Sequence, residues 1–180
     1  RMDGNIVADF MQAQRMFLRT GVLKRRAFNV VTSHGMCYDS GTQEGQDRVY
    51  EILTIQTKNR VEMVDITPMI HKVLDKSGVK DGLCVVYVPH TTAAVTINEN
   101  ADPDVQRDIL QHLSSLIPVS GEYRHMEGNA DAHIKVSLVG SSETIFIENG
   151  RLMLGTWQSV FFCEFDGPRT RKYHVKIIGG

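Results

Sequence analysis

The chain has 180 residues, 42% hydrophobic and 23% charged, with a formal net charge of −1. That length and balance fit one globular domain with an appendage, and they exclude a bulk electrostatic pull toward nucleic acid or anionic membrane. No apolar run is long enough to span a bilayer, and the first residues lack the basic, apolar, small-residue order of a secretory signal. Three cysteines, Cys37, Cys84 and Cys163, occur without a CxxC spacing, so neither a disulfide framework nor a thiolate zinc finger is encoded. A cytoplasmic location is the expectation.

Residues 1–48 read as an extension, part weak helix and part flexible loop. Ile6, Val7, Phe10, Met11, Phe17 and Leu18 have loose helical spacing, Lys24-Arg25-Arg26 follows, and 33–47 is rich in Gly, Ser, Thr and Gln. The domain proper is expected over 49–180. Residues 49–57 alternate and carry β-branched side chains, Lys58-Asn59 offers a turn, and 61–66 reads as a second strand, so a hairpin is expected. Thr67 and Pro68 start a helix whose apolar stripe is Met69, Ile70, Val73 and Leu74, and Gly78 ends it. The apolar run 83–88 is a buried strand, interrupted at Pro89-His90 and followed by extended chain over 93–98.

Asp102-Pro103 opens the next helix. Its buried face is read as Val105, Ile109, Leu113 and Leu116, and Pro118 stops it. A polar loop covers 119–129. A short helix begins near Asp131 and carries His133, Ile134 and Leu138. Strands are expected at 144–147, 152–154, 157–165 and 171–178, with turns at Glu148-Asn149-Gly150 and Asp166-Gly167-Pro168. The order is summarised as ββαββααβββ. The class is α+β, a largely antiparallel sheet or sandwich with flanking helices.

Several blocks form a specific pattern. Ser142-x-x-Ile145-x-Ile147-x-x-Gly150 is followed, four residues on, by Gly155-Thr156-Trp157-Gln158-x-Val160. Upstream lie Pro89-His90-Thr91-Thr92, Asn98-Glu99-x-x-Asp102-Pro103, and His125 before Gly128-Asn129-Ala130-Asp131-Ala132-His133-Ile134-Lys135. Glu164-Phe165-Asp166-Gly167-Pro168-Arg169 closes the set. Together, over about 50–178, they resemble the YjbQ-like family. The resemblance implies an α+β sandwich-like protomer, a homotrimer, and a polar histidine-containing pocket near the subunit boundary. It also implies a weak secondary thiamine-phosphate synthase activity, joining a pyrimidine pyrophosphate to a thiazole phosphate.

Of the seven histidines, His90, His125 and His133 sit at element ends or in loops beside Gly, Asn, Thr and Asp. Three neutral imidazoles can hold a divalent metal such as zinc and leave one position open, so these three are the candidate ligands. Hydrogen-bonding histidines are the alternative. Glu164 is the first candidate acid/base, beside aromatic side chains, with Glu99 competing; an edge glutamate pairing with Arg169 or Arg171 is the bland reading of Glu164. Thr91, Thr92, Asn98, Asn129, Lys135 and Arg169 are candidates for binding a small phosphorylated or anionic ligand. No Walker or GxGxxG sequence occurs. On one straight strand His90 and Asn98 would stand ~26 Å apart, so the chain turns near 90–92 or the pocket is shared between subunits. Three functions fit: a transferase on phosphorylated heterocycles, a trimeric binder of a small anionic metabolite, and a metal-assisted hydrolase.

Overall fold

The computed structural model describes residues 48–180; the helical pattern, the basic triplet and the polar stretch of the extension lie outside them. Eight strands and three helices follow in the order ββαββααββββ. The strands are β1 (Arg48–Gln56), β2 (Glu62–Asp65), β3 (Gly82–Tyr87), β4 (Ala93–Glu99), β5 (Ser142–Glu148), β6 (Arg151–Leu152), β7 (Gln158–Glu164) and β8 (Thr170–Gly179). The helices are α1 (Thr67–Ser77), α2 (Pro103–Leu116) and α3 (Ala130–Val139). The α+β class holds. The four strands expected after the last helix all form, one more than the order ββαββααβββ counts; the one expected at 152–154 is β6, only two residues long and paired only with β5.

The strands make two antiparallel sheets. One has the order β1-β8-β3-β5-β6, the other β2-β7-β4. The expected hairpin of β1 and β2 does not form. All nine residues of β1 pair with β8, whereas β2 pairs with β7 in the other sheet. Local alternation marked both strands correctly but carries no information about partners, and here the long-range partners win.

The main core fills the space between the sheets, with Cys84, Val86, Val95, Val160, Phe162, Tyr173, Val175 and Ile177 buried in it. α1 packs Ile70, Val73 and Leu74 onto the same core, while Met69 stays 40% exposed. A second, smaller core lies on the other face of the three-stranded sheet, where Phe161, Cys163 and Phe165 meet α2 and α3. β7 therefore has a core on each side. This is why β7 is buried continuously over 159–164 around an apolar centre at 160–163, whereas β8 alternates buried Arg171, Tyr173, Val175 and Ile177 with outward residues.

The helix ends follow the local chemistry with one change. Asp102 caps α2 by accepting from Asp104 N at 2.8 Å, and Gly78 ends α1 in the left-handed region at φ 67°. Thr67, expected as a cap, lies inside α1, and its hydroxyl accepts from Val160 N at 2.8 Å instead. Asp65 takes the capping role, accepting from Thr67 N at 2.9 Å. α2 has no fully buried residue, and Leu116 at the end of its apolar stripe is 73% exposed. The Glu148-Asn149-Gly150 turn is as expected, with Asn149 and Gly150 both at positive φ, joining β5 to β6. Among the described residues no helix is long and apolar enough to cross a membrane.

Candidate functional site

β3 and β4 are consecutive but lie in different sheets, so the chain turns a corner at residues 88–92. Pro89 and His90 break the ladder there, as the sequence predicts. Around this corner the candidate residues fall into three groups with different environments.

The first group is a buried knot at the end of β7. Glu164 is fully buried and accepts from Arg171 Nε at 2.7 Å and Nη2 at 2.6 Å. Phe165 N, Asp166 N and Thr57 Oγ1 add contacts at 3.1, 2.9 and 3.1 Å. A carboxylate offers about four lone-pair sites, so Glu164 has none left to take a proton from a substrate. Thr92, 6% exposed, is drawn into the same knot, its hydroxyl accepting from Arg171 Nη2 at 2.8 Å. Gly167 closes the knot: a Cβ there would lie 2.8 Å from Glu164 Cγ and 2.4 Å from Asn59 O.

The second group surrounds the start of α3. Lys135 and Asp131, one helical turn apart and both 0% exposed, pair at 2.8 Å. Asp131 is shared with Arg60 Nη2 at 3.1 Å. Asp166 receives Asn129 Nδ2 at 3.0 Å and Arg169 Nη2 at 2.7 Å, and its backbone oxygen receives Arg169 Nε at 2.6 Å. Lys135 has no solvent-facing surface from which to meet an anion. Arg169, with its side chain 52% exposed, does. Arg60 Nε and Asn129 Oδ1 are buried without a partner among the described residues.

The third group is the histidines, on two surface clefts. One, about 420 Å³, is lined by Tyr87, His90 and Thr91 at the corner and by His133, Ser137 and Ser141 at α3. The other, about 330 Å³, is lined by Tyr123, Arg124, His125, His133 and Ile134. His133 lines both. Its ring meets His125 edge-on, 5.3 Å between centroids, and His125 Nε2 lies 3.6 Å from Glu127. His90 Nε2 lies 3.1 Å from both the amide nitrogen and the carbonyl oxygen of Lys172. Partial burial, then the nearby Arg171 guanidinium, pulls the His90 pKa below the ordinary histidine value.

The three histidines thus share one surface but are not one ligand set. Among the described residues no three His, Cys, Asp or Glu side chains converge as metal ligands. A three-histidine zinc site needs its nitrogens at ~2.0–2.1 Å from one ion, and one protomer does not assemble it.

Asn98 and Glu99 stand apart, at the far end of β4. Asn98 follows Ala93 by five residues, ~17 Å of strand. Its Oδ1 accepts from Glu99 N at 2.8 Å, and it lines a separate cavity under α2. Sequence reasoning missed Arg60, Thr57, Asp166, Tyr87, Tyr123, Arg124, Ser137 and Ser141 as members of these groups. Arg60 and Thr57 carry no local signal. Arg124 adjoins His125, and Ser137 lies one helical turn from His133, so both could have been found by position.

The family model described as "UPF0047 protein YjbQ-like" matches residues 51–180. A UPF0047 protein of Methanocaldococcus jannaschii is 61% identical over 125 residues, covering 69% of this chain and 91% of that protein. The UPF0047 protein YugU of Bacillus subtilis is 52% identical over 128 residues, covering 71% and 97%. Among solved structures, an uncharacterized conserved protein of the YjbQ/UPF0047 family from Clostridium acetobutylicum superposes with a TM-score of 0.70 at 58% identity, covering 71% of this chain and 99% of that one. A YbjQ-like protein of unknown function from Sulfolobus solfataricus P2 gives 0.71 at 33% identity, covering 74% and 98%. With the family model matching 51–180 and relatives more than 50% identical over about two thirds of its length, the chain belongs to the YjbQ-like UPF0047 family.

Proposed function

We propose that the two clefts meeting at His133 bind a small phosphorylated ligand, and that the protein carries out a weak thiamine-phosphate-synthase-type transfer there. In that reaction the ring nitrogen of a thiazole phosphate attacks the methylene carbon of a pyrimidine pyrophosphate. The new C–N bond forms as the C–O bond breaks, and pyrophosphate leaves. The single observation that supports this reading is that His133 lines both clefts, with His90 on one and His125 and Arg124 on the other. Arg124 offsets the phosphate charge, and the imidazoles and the Thr91 and Ser141 hydroxyls donate to the departing oxygens, while the Ser137 hydroxyl donates to the His133 carbonyl at 2.9 Å. Glu164 and Lys135 have a supporting role: each fixes the elements that carry the clefts.

The clefts are proposed to lie at the boundary of a homotrimer. Met126, Ile134 and Leu138, close to the histidines in the chain, are 92%, 40% and 62% exposed, apolar surface that a second copy would cover. A divalent ion is proposed only for the His125–His133 pair, completed from a second copy, and no step above runs through it. Elemental analysis of a tag-free preparation and of its His125→Ala and His133→Ala variants tests that separately.

The reading is tested by thiamine-phosphate formation from the two precursors. The His133→Ala variant, confirmed as folded, is expected to lose activity by about 100-fold. A trace rate that survives in both His133→Ala and His90→Ala overturns the transferase reading. A second reading, a binder of a small anionic metabolite without chemistry, is favoured by the saturation of Glu164, the strongest acid/base candidate. It predicts a thermal shift with inorganic pyrophosphate, lost in His133→Ala, and no turnover.

A further inference from the structure

A cavity of about 230 Å³ lies between the three-stranded sheet and the pair α2 and α3, apart from the histidine clefts. Its walls are Leu110 and Leu113 of α2, Leu138 of α3 and Phe165 after β7, and none of its lining residues is charged. At one end stand two polar side chains of β4, Thr96 and Asn98. The Asn98 amide is oriented by its own neighbour: Oδ1 accepts from Glu99 N at 2.8 Å, which leaves the two Nδ2 hydrogens as donors without a partner among the described residues. α2 bears a clear apolar stripe yet buries no residue completely. A helix so patterned normally closes its stripe against a core, and here part of the stripe faces the cavity instead.

We propose that this cavity is a binding site for a small, uncharged, monocyclic heteroaromatic ring carrying a hydrogen-bond acceptor on its edge. The size sets the class. A dry cavity of ~150 Å³ takes benzene, so about 230 Å³ takes a six-membered ring with one or two substituents. The chemistry narrows it: the uncharged walls oppose burial of a phosphate or an ammonium group, and Phe165 offers a face or edge to a ring. The donors at Asn98 Nδ2 and Thr96 Oγ1 select an acceptor nitrogen over a plain hydrocarbon, because filling the cavity with a hydrocarbon leaves both unmatched. This site does not depend on the reading of the histidine clefts.

The test uses the full chain with 4-methylpyrimidine as probe and toluene as its apolar counterpart, followed by amide chemical shifts in nuclear magnetic resonance. 4-Methylpyrimidine is expected to give saturable shifts at the Asn98 side-chain amide and at Cys163 and Phe165, binding about tenfold more tightly than toluene. Leu113→Trp, which fills the cavity, abolishes both. Asn98→Asp keeps the oxygen that accepts from Glu99 and replaces the donor amide with a carboxylate oxygen; it weakens 4-methylpyrimidine about tenfold and leaves toluene unchanged. Asn98→Asp carries the test alone if Leu113→Trp does not fold. His133→Ala binds the probe like the wild type even if the transfer activity is lost, which separates this site from the clefts. No saturable shift at the cavity residues overturns the proposal. So does equal response of the two rings to Asn98→Asp, or binding retained in folded Leu113→Trp.

Discussion

Arg171 and Glu164 join the two sheets of the sandwich: β8 belongs to one and β7 to the other, and the guanidinium meets the carboxylate with two hydrogen bonds at 2.7 and 2.6 Å. Neither side chain is more than 8% exposed. Removing one partner leaves a buried charge unpaired, which costs more than the pair contributes. Arg171→Met is expected to destabilise the fold by about 3–5 kcal/mol. The double variant with Glu164→Gln recovers part of that loss. Urea unfolding of the three variants checks both statements; a loss in Arg171→Met no larger than that of an exposed arginine would count against the role.

His90 makes stability depend on pH. Its folded pKa lies below the unfolded value of 6.5, because partial burial and then Arg171 disfavour the cation, with Glu164 acting in the opposite sense and His174 in the same sense as Arg171. The unfolded chain therefore binds the proton more readily than the folded one. The contribution is complete above pH 6.5 and is lost as the pH falls through the folded pKa. The stability difference between the wild type and His90→Gln is expected to narrow across that acid window, measured by denaturant unfolding at successive pH values.

Gly82 is a position for glycine alone. It sits at φ 152°, and an added Cβ would stand 2.0 Å from the Ile178 carbonyl oxygen in the adjacent strand. That neighbour is backbone and cannot rotate away. Gly82→Ala is expected to lower stability by about 1–3 kcal/mol or more, and hydrogen exchange should show the loss first in the β3–β8 ladder. Unchanged protection there would contradict the close approach.

Cys84 and Cys163 are expected to be inert in the folded protein. Burial pushes the thiol pKa of each up to about 12, so almost no thiolate is present near neutrality. Iodoacetamide should label the peptides containing them only after denaturation, as read by mass spectrometry. Labelling of either in the native state would show that the strand carrying it opens.

Much of the fold was legible because periodicity reports local geometry. Strands such as β8, the caps at Asp102 and Gly78, and the Asn149-Gly150 turn all rest on chemistry within a few residues. What failed was partnership. Nothing in 49–66 says that β1 seeks β8 and β2 seeks β7, and nothing near Leu116 says that it remains exposed. The candidate site shows the same division. His90, His133 and Thr91 were found because they flank breaks in regular structure, and the structure does bring them to one cleft. Glu164, Lys135 and Thr92 were chosen by residue type, and type does not reveal that each is already paired: Lys135 with Asp131 one helical turn away, Glu164 with Arg171 as its bland reading had it, and Thr92 with Arg171 from across the chain. Asn98 was placed with the histidines on the condition that the chain turns near 90–92 or the pocket is shared between subunits; the chain does turn, but the length of β4 carries Asn98 and Glu99 to its other end.

β8 is the final strand of the domain, yet it lies inside its sheet, bonded to β1 on one side and to β3 on the other. During synthesis, β1 and β3 therefore wait with open edges until residues 170–179 have left the ribosome. A nascent chain arrested before that point has both flanking strands but no strand to join them. The interval before β8 arrives is when this protein most needs a chaperone, and deleting residues 170–179 would remove an interior strand and cut β1 off from its sheet rather than trim a margin.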